Sequence, residues 1–291
     1  MTRTRTRTIA LLGHPVSHSI SPRFQQAALD ALGIDARYEA WDTAPEDLAI
    51  TIERLRSGDL LGANVTVPHK VAAMRLIDRP DAMAERVGAL NTIINRDGLL
   101  HATNTDVTGV LNALRDAGVE AGGAEVVLIG AGGAARAVVV AMRSAGASRV
   151  TIANRTAANA RALLEVGGPD LDMRYAPLDA QDATFRHAVR EAGIVIQSTS
   201  MGMLHGPAEG ESPVPAELFA PGQVAFDLVY VPEETPFLRA AAAAGATTVG
   251  GLMMLIHQGA EAFRLWLRQE PPIEVMVRAA REALAERRGP P

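Results

Sequence analysis

The chain of 291 residues contains no cysteine, which excludes disulfides, a thiol nucleophile and a thiolate metal site. No apolar run reaches the roughly 18 residues of a membrane span. The basic stretch 1–8 leads into a five-residue apolar run, too short for a signal peptide. A net charge of −5 and a pI near 5.8 argue against a nucleic-acid or anionic-membrane binder. We therefore expect a cytoplasmic globular protein of one large domain or two ordinary ones.

Lysine is almost as scarce: of the 28 Lys and Arg residues, Lys70 is the only lysine and the other 27 are arginines. Arginine serves every surface role of lysine but does not release its proton, whereas the pKa of a lysine falls readily on desolvation. A single lysine is therefore a candidate for proton transfer, with chance retention of a surface lysine as the alternative. Lys70 follows a strand pattern at 60–67 and Pro68, and open α/β sheets place ligand groups beyond strand ends.

Strand and helix patterns alternate along most of the chain, which predicts an α/β fold with mostly parallel sheets. Ser21 followed by Pro22 is typical of a helix N-cap and first helical position. A helix is predicted over 71–77, directly after Lys70. Strands at 92–95 and 99–102 flank an Arg-Asp-Gly turn, which indicates a hairpin.

A glycine-rich turn directly follows the buried-strand pattern at 125–129. The spacing Gly130-x-Gly132-x-x-Ala135 fits the dinucleotide fingerprint, in its required place between a strand and a helix. Glycines permit the tight turn and the close approach of a pyrophosphate, which the free N–H groups and dipole of the helix hold. A plain strand–helix turn is the alternative. We expect the backbone of this turn to bind a dinucleotide, at Gly130, Ala131, Gly132, Gly133 and Ala134.

The end of the next strand bears on which dinucleotide is bound. NAD sites carry Asp or Glu there to accept from the ribose hydroxyls, but this chain has Asn154, Arg155 and Thr156. A carboxylate would repel a 2′-phosphate, whereas Arg155 can form a charge-assisted fork with it. We therefore expect NADP(H) rather than NAD. A solvated Arg155 beside a helix cap at Thr156 is the alternative.

Together these motifs resemble those of the shikimate dehydrogenases, over nearly the whole chain. Nine segments carry the resemblance in the family's order: 18–22, 64–70, 88–92, 104–106, 130–137, 154–156, 198–203, 227–230 and 251–258. The resemblance implies two domains: an α/β substrate-binding domain (1–106 plus 252–291) and a Rossmann-type NADP-binding domain (107–251). It also implies the reversible NADPH-dependent reduction of 3-dehydroshikimate to shikimate in aromatic amino-acid (chorismate) biosynthesis, by a monomer or homodimer.

The resemblance also implies roles for individual residues. Lys70 corresponds to the general acid and base, with Asp106 as its partner. Ser19 and Ser21 correspond to ligands of the substrate carboxylate. The ring hydroxyls would be bound by Asn64, Thr66, Asn91, Asp106 and Gln258, with Tyr230 near the substrate. The cofactor would be contacted by the glycine turn and by Asn154, Arg155, Thr156, Thr199, Met201 and Gly251.

Each of these roles has a structural alternative. Ser21 and Asp106 are also typical helix caps, and Asn91 is a typical turn residue. Gln258 lies on a mostly apolar helix, where a polar side chain often faces solvent, and a lone tyrosine such as Tyr230 is usually half-buried packing. The histidines show no paired ligand spacing, so we expect no metal.

Three positions depart from the family pattern. Thr103 stands where an acidic residue is frequent, and Val107 where glycine is usual. Asn159 replaces a second basic residue, so the 2′-phosphate would be held by Arg155 alone unless Arg161, two positions further on, also reaches it. Use of both NADP and NAD is the alternative. The rival functions are a quinate or aminoshikimate dehydrogenase that uses NAD, and a non-catalytic dinucleotide-binding regulator.

Overall fold

A computed structural model describes residues 6–206 and 208–287. The strands are β1 (Arg7–Gly13), β2 (Ala36–Asp42), β3 (Leu60–Val65), β4 (Arg79–Pro80), β5 (Thr92–Arg96), β6 (Leu99–Thr103), β7 (Glu125–Ile129), β8 (Arg149–Asn154), β9 (Asp172–Pro177), β10 (Ile194–Gln197), β11 (Val224–Asp227) and β12 (Thr247–Val249). The helices are α1 (Ser21–Ala31), α2 (Leu48–Arg54), α3 (Ala82–Val87), α4 (Asp106–Asp116), α5 (Gly133–Ser144), α6 (Ala157–Leu164), α7 (Ala183–Glu191), α8 (Pro236–Ala243), α9 (Gly251–Leu267) and α10 (Ile273–Arg287). None of these described helices is both long enough and apolar enough to cross a membrane.

The backbone forms two compact units. The first unit contains the chain up to Thr105 together with the chain from Ile256 onward. The second unit runs from Asp106 to Leu255. The second boundary therefore lies inside α9, four residues after the position 251/252 expected from the sequence.

The first unit is built on a six-stranded sheet in the order β2-β1-β3-β5-β6-β4. Strand β1 runs parallel to β2 and β3, so the carboxyl ends of these three strands share one edge. Strand β5 is antiparallel to β3 and pairs Thr92 with Asn64. The start of β5 therefore lies beside the end of β3, which brings polar residues of both strands to the same edge. The predicted hairpin of β5 and β6 is confirmed, with Asp97 and Gly98 both at positive φ.

The second unit contains a parallel six-stranded sheet in the order β12-β11-β10-β7-β8-β9. Its first strand in the chain, β7, lies in the middle, between β8 on one side and β10 on the other. This is the strand order of a doubly wound dinucleotide-binding sheet. Ligands bind such sheets outside the carboxyl ends of the strands where the order reverses, which here is between β7 and β10.

The segment that carries Lys70 differs from its predicted structure. Strand β3 ends at Val65 rather than at residue 67, and a five-residue 3₁₀ helix at Ala72–Leu76 replaces the predicted α-helix. An α-helix would use the Lys70 carbonyl as acceptor for the N–H of Met74. That carbonyl instead accepts from Leu90 N at 2.9 Å, and Met74 N donates to the Val71 carbonyl at 3.3 Å. The Lys70 carbonyl thus takes part in a long-range bond instead of the helical bond to Met74.

The start of α1 is also shifted by one residue from the prediction. Ile20 is the N-cap, and Ser21 is the first helical residue. Ser19 Oγ accepts from Ser21 N at 3.2 Å, so the hydroxyl that meets the first helical N–H comes from Ser19.

Candidate active site

Asn64, at the carboxyl end of β3, lies at the centre of a buried hydrogen-bond network in the first unit. Its Oδ1 accepts from the Tyr38 hydroxyl at 2.7 Å. Its Nδ2 donates to the carbonyl of Asn91 at 3.0 Å and to Thr92 Oγ1 at 3.2 Å. Burial raises the pKa of Tyr38, so its hydroxyl stays protonated and remains a donor. These contacts hold the Asn64 amide in one orientation.

Asn91 extends this network to α9. Its Nδ2 donates to Gln258 Oε1 at 3.2 Å and to Thr105 Oγ1 at 3.0 Å. Its Oδ1 accepts from the backbone N–H of Thr105 at 2.8 Å. The structure therefore brings together three residues proposed from the sequence for substrate binding, Asn64, Asn91 and Gln258. The sequence did not indicate a role for Thr105 or Tyr38 in this site, because their hydroxyls join the network only through tertiary contacts.

The segment between β1 and α1, residues 14–20, is called the serine loop below, and it lies at the same edge of the sheet. Ser19 is half-buried, and Ser21 directly after the loop is buried. A Cβ added at Gly13 would lie 2.4 Å from Thr66 Cγ2, so the chain leaves β1 in close contact with the chain leaving β3. Gln25 Nε2 donates to the Gly259 carbonyl at 2.9 Å, which ties α1 to α9 beside Gln258.

Lys70 is half-buried in the turn between β3 and the 3₁₀ helix. The turn is anchored on both sides of this residue. His69 is buried, and its Nε2 donates to the Thr43 carbonyl at 2.7 Å. The Lys70 carbonyl accepts from Leu90, as described above. The backbone that carries the lysine is thus fixed by two contacts distant in sequence.

The predicted dinucleotide turn lies where the strand order of the second sheet reverses. Gly130 has φ +103°, and a Cβ there would lie 2.8 Å from Ser198 Oγ and 2.9 Å from Thr199 Cγ2. Only glycine suits both that conformation and that close approach. Gly132 precedes α5 without a side-chain cap, and a Cβ there would meet nothing within 4 Å. The first N–H groups of α5 and the open space beside Gly132 fit a pyrophosphate.

Gln197, which the sequence analysis missed, organises the loop that faces Gly130. Its side chain is fully buried. Its Oε1 accepts from Thr199 N at 2.6 Å, and its Nε2 donates to the Met201 carbonyl at 2.9 Å. The amide therefore holds the backbone of both predicted cofactor residues of this loop. The available signal was a single polar residue that ends an otherwise apolar strand.

The end of β8 leaves Arg155 exposed. Asn154 Nδ2 donates to the Thr156 carbonyl at 2.9 Å, which closes the turn around Arg155. Thr156 is the N-cap of α6 but makes no side-chain capping bond. Because β8 pairs directly with β7, this turn adjoins the glycine turn. Asn159 and Arg161 are exposed on α6.

Asp227, at the end of β11, holds the following segment, which contains Tyr230. Its carboxyl accepts from Val229 N at 2.9 Å and from Thr235 Oγ1 at 2.6 Å. Burial raises the pKa of Asp227 to about 7, although these two hydrogen bonds act in the opposite direction. Gly251 lies against the same segment, since a Cβ there would be 2.5 Å from the Leu228 carbonyl oxygen.

Replacing Asp227 with asparagine is expected to change the pH dependence of stability. The folded protein holds this proton more tightly than the unfolded chain, whose aspartate pKa is about 4. Asp227 therefore destabilises the fold progressively as the pH rises from about 4 to about 7. Across that window the free energy of unfolding of Asp227→Asn should rise relative to the unmodified protein, by at most roughly 4 kcal/mol. Urea titrations of both proteins measure this difference, and a constant difference contradicts the raised pKa.

The two units together define a class of protein. The second unit is a Rossmann-type dinucleotide-binding unit with its glycine turn at the switch point. The first unit presents a buried set of amide and hydroxyl groups at one sheet edge. The dinucleotide turn and the polar sheet edge are typical of a two-unit α/β nicotinamide-dependent oxidoreductase.

Comparison with known proteins places the chain within this class. Residues 11–93 match the shikimate dehydrogenase substrate-binding domain, residues 113–204 match shikimate/quinate 5-dehydrogenase, and residues 251–281 match the shikimate 5′-dehydrogenase C-terminal domain. The shikimate dehydrogenase (NADP(+)) of Moorella thermoacetica is 44% identical over 98% of this chain and 96% of its own length. The chain belongs to the shikimate dehydrogenase family.

Solved structures show the same fold. The shikimate 5-dehydrogenase of Thermus thermophilus, solved with NADP(H) and shikimate, is 42% identical, with a TM-score of 0.85 over 95% of this chain and 99% of that one. The quinate dehydrogenase of Corynebacterium glutamicum, solved with NAD, is 28% identical, with a TM-score of 0.87 over 95% of this chain and 99% of that one. The predicted family and fold class are thereby confirmed.

Proposed function

We propose that this protein catalyses the reversible NADPH-dependent reduction of 3-dehydroshikimate to shikimate, in aromatic amino-acid biosynthesis. The observation that carries the proposal is the 42% identity, over nearly the full length of both chains, to an enzyme solved with shikimate and NADP(H) bound. The Moorella relative, which is also NADP-dependent by name, supports the same substrate and cofactor.

The substrate would be bound chiefly by the first unit. Ser19 and Ser21 are assigned to its carboxylate, and the contact of Ser19 Oγ with the backbone N–H of Ser21 supports this by placing the two residues together at the start of α1. The hydroxyls of the ring are assigned to Asn64, Thr66, Asn91, Asp106, Gln258 and Tyr230. The network that fixes Asn64, Asn91 and Gln258 supports this assignment, since preorganised amides bind without an ordering cost.

Lys70 is assigned as the general acid. NADPH, when bound, supplies the hydride that reaches the ketone carbon. Lys70 gives a proton to the carbonyl oxygen, which becomes the new hydroxyl, and takes that proton back in the reverse reaction. Asp106 is assigned as the carboxylate partner of the lysine. It follows Thr105 directly in the chain, next to the network around Asn91.

The cofactor would be bound by the second unit. The glycine turn, with Gly130, Ala131, Gly132, Gly133 and Ala134, suits the pyrophosphate. Arg155 suits the 2′-phosphate, between Asn154 and Thr156. Thr199, Met201 and Gly251 complete the set, and the bonds from Gln197 support the positions assigned to the first two.

The rival proposal is a quinate dehydrogenase that uses NAD, as the Corynebacterium protein is described. The exposed Arg155 at the end of β8 favours NADP over NAD, because no carboxylate stands in that turn to repel a 2′-phosphate. We also propose a cytoplasmic location and a monomeric or dimeric state. Analytical ultracentrifugation tests the oligomeric state.

Initial rates of oxidation of shikimate and quinate, each with NADP and with NAD, test the function through the absorbance of the reduced nicotinamide. Turnover of shikimate with NADP far above the other three pairs is expected. A preference for quinate or for NAD would transfer the protein to the rival activity. No turnover with any pair would refute both the shikimate and the quinate proposals and favour an aminoshikimate dehydrogenase or a dinucleotide-binding regulator.

A further inference from the structure

The carboxyl end of α10 contacts the serine loop. The guanidinium of Arg287 donates to the carbonyl oxygens of His18 and Ser19, the latter through Nη2 at 3.2 Å. One side chain therefore bridges two consecutive peptide units of the loop. The same loop contributes the Ser19 hydroxyl that accepts from Ser21 N. Arg287 thus lies behind the two serines assigned to the substrate carboxylate.

A second contact attaches α10 to α1 without involving the serine loop. Arg23 forms a two-pronged ion pair with Glu286, at 2.7 and 2.9 Å. Both side chains are more than half exposed, so this pair is of small energetic weight. Glu286 therefore joins α10 to α1, whereas the adjacent residue Arg287 joins α10 to the serine loop. Substituting one or the other tests the two contacts separately.

Arg287 also lies beyond the stretch that matches the family's C-terminal domain, which ends at residue 281. The family match therefore assigns it no role.

We propose that Arg287 is a positioning residue, which holds the serine loop in the conformation that binds the substrate carboxylate. This proposal rests on the function proposed above. Bridging two carbonyls restricts the loop before the substrate arrives, so less conformational freedom is lost on binding. The guanidinium is also a cationic group that lies beside the residues that would meet an anion. Both effects act on substrate affinity rather than on proton or hydride transfer.

Steady-state kinetics of Arg287→Ala, Arg287→Lys and the matched control Glu286→Gln test the proposal. Arg287→Ala is expected to raise the KM for shikimate about three- to tenfold, because one or two charge-assisted hydrogen bonds are lost. Its kcat and its KM for NADP should stay within about twofold. Arg287→Lys should fall in between, since an ammonium keeps the charge but lacks the planar fork. Glu286→Gln should behave like the unmodified protein.

Hydrogen–deuterium exchange of the peptide covering residues 14–23, in the full chain without ligands, provides a readout independent of catalysis. Faster exchange in Arg287→Ala than in Glu286→Gln is expected. Unchanged KM and unchanged exchange in Arg287→Ala would overturn the proposal. An equal rise in KM in Glu286→Gln would also overturn it, because the effect would then come from helix docking. If the unmodified protein does not oxidise shikimate, the proposed function and this role for Arg287 both fail, whatever the exchange shows.

Discussion

Replacing Lys70 with alanine is expected to lower kcat by about 10² to 10⁴, the usual contribution of a positioned general acid or base. The fold should survive, because backbone bonds of residues 66, 69 and 90 and the contact of His69 with the Thr43 carbonyl hold the turn. Stopped-flow and steady-state measurement of shikimate oxidation, with a thermal melt and an NADP titration as checks on folding, give the result.

Two further variants decide what the lysine does. Lys70→Arg should lose nearly as much activity, since arginine keeps the charge but does not exchange its proton. Val71→Ala is the matched control, because Val71 is the next residue and is half exposed, and it should retain kcat within about twofold. Near-normal turnover of Lys70→Arg would contradict proton transfer and reassign Lys70 to electrostatic stabilisation.

Replacing Arg155 with alanine is expected to raise the KM for NADP about 10- to 100-fold and to leave the KM for NAD nearly unchanged. The physical reason is the loss of a charge-assisted fork with the 2′-phosphate, a group that NAD lacks. The ratio of kcat/KM with NADP to that with NAD measures the effect. The expected shift in this ratio is the second largest effect predicted for this protein.

Arg161→Ala is the control for this substitution. Arg161 lies six positions beyond Arg155, on α6, and is also exposed, whereas Asn159 between them carries no charge. If Arg155 alone discriminates between the cofactors, Arg161→Ala should leave the ratio unchanged. If Arg155→Ala and the unmodified protein have the same ratio of kcat/KM with NADP to kcat/KM with NAD, the turn after β8 does not bind the 2′-phosphate.

Local sequence patterns predicted those elements whose physical signal is local. The buried strand β7, the glycine turn after it and helix α5 follow from apolar runs and from a backbone that only glycine adopts at Gly130. The hairpin of β5 and β6 follows from its Asp-Gly turn. Strand β12 and helix α7 were missed, because β12 has only three residues, two of them exposed, and α7 lies in a polar stretch.

Segments governed by distant partners were predicted less well. The helix expected after Lys70 is a 3₁₀ helix, and the Lys70 carbonyl, which an α-helix would use for Met74, accepts from Leu90, twenty residues away in the sequence. Hydrogen bonding across the fold here competes with local propensity.

The sequence alone determined which chemistry-bearing residues this protein has: a single lysine after a strand, a glycine turn between strand and helix, and an arginine where NAD proteins carry a carboxylate. These are properties of residue type and short spacing, and they require no distant contact. Only the tertiary structure decided how such residues are held. Tyr38 and Thr105 orient Asn64 and Asn91, Gln197 holds the loop opposite Gly130, and Arg287 bridges the serine loop. Each of these contacts joins groups that meet only when the chain folds, so no local pattern encodes it.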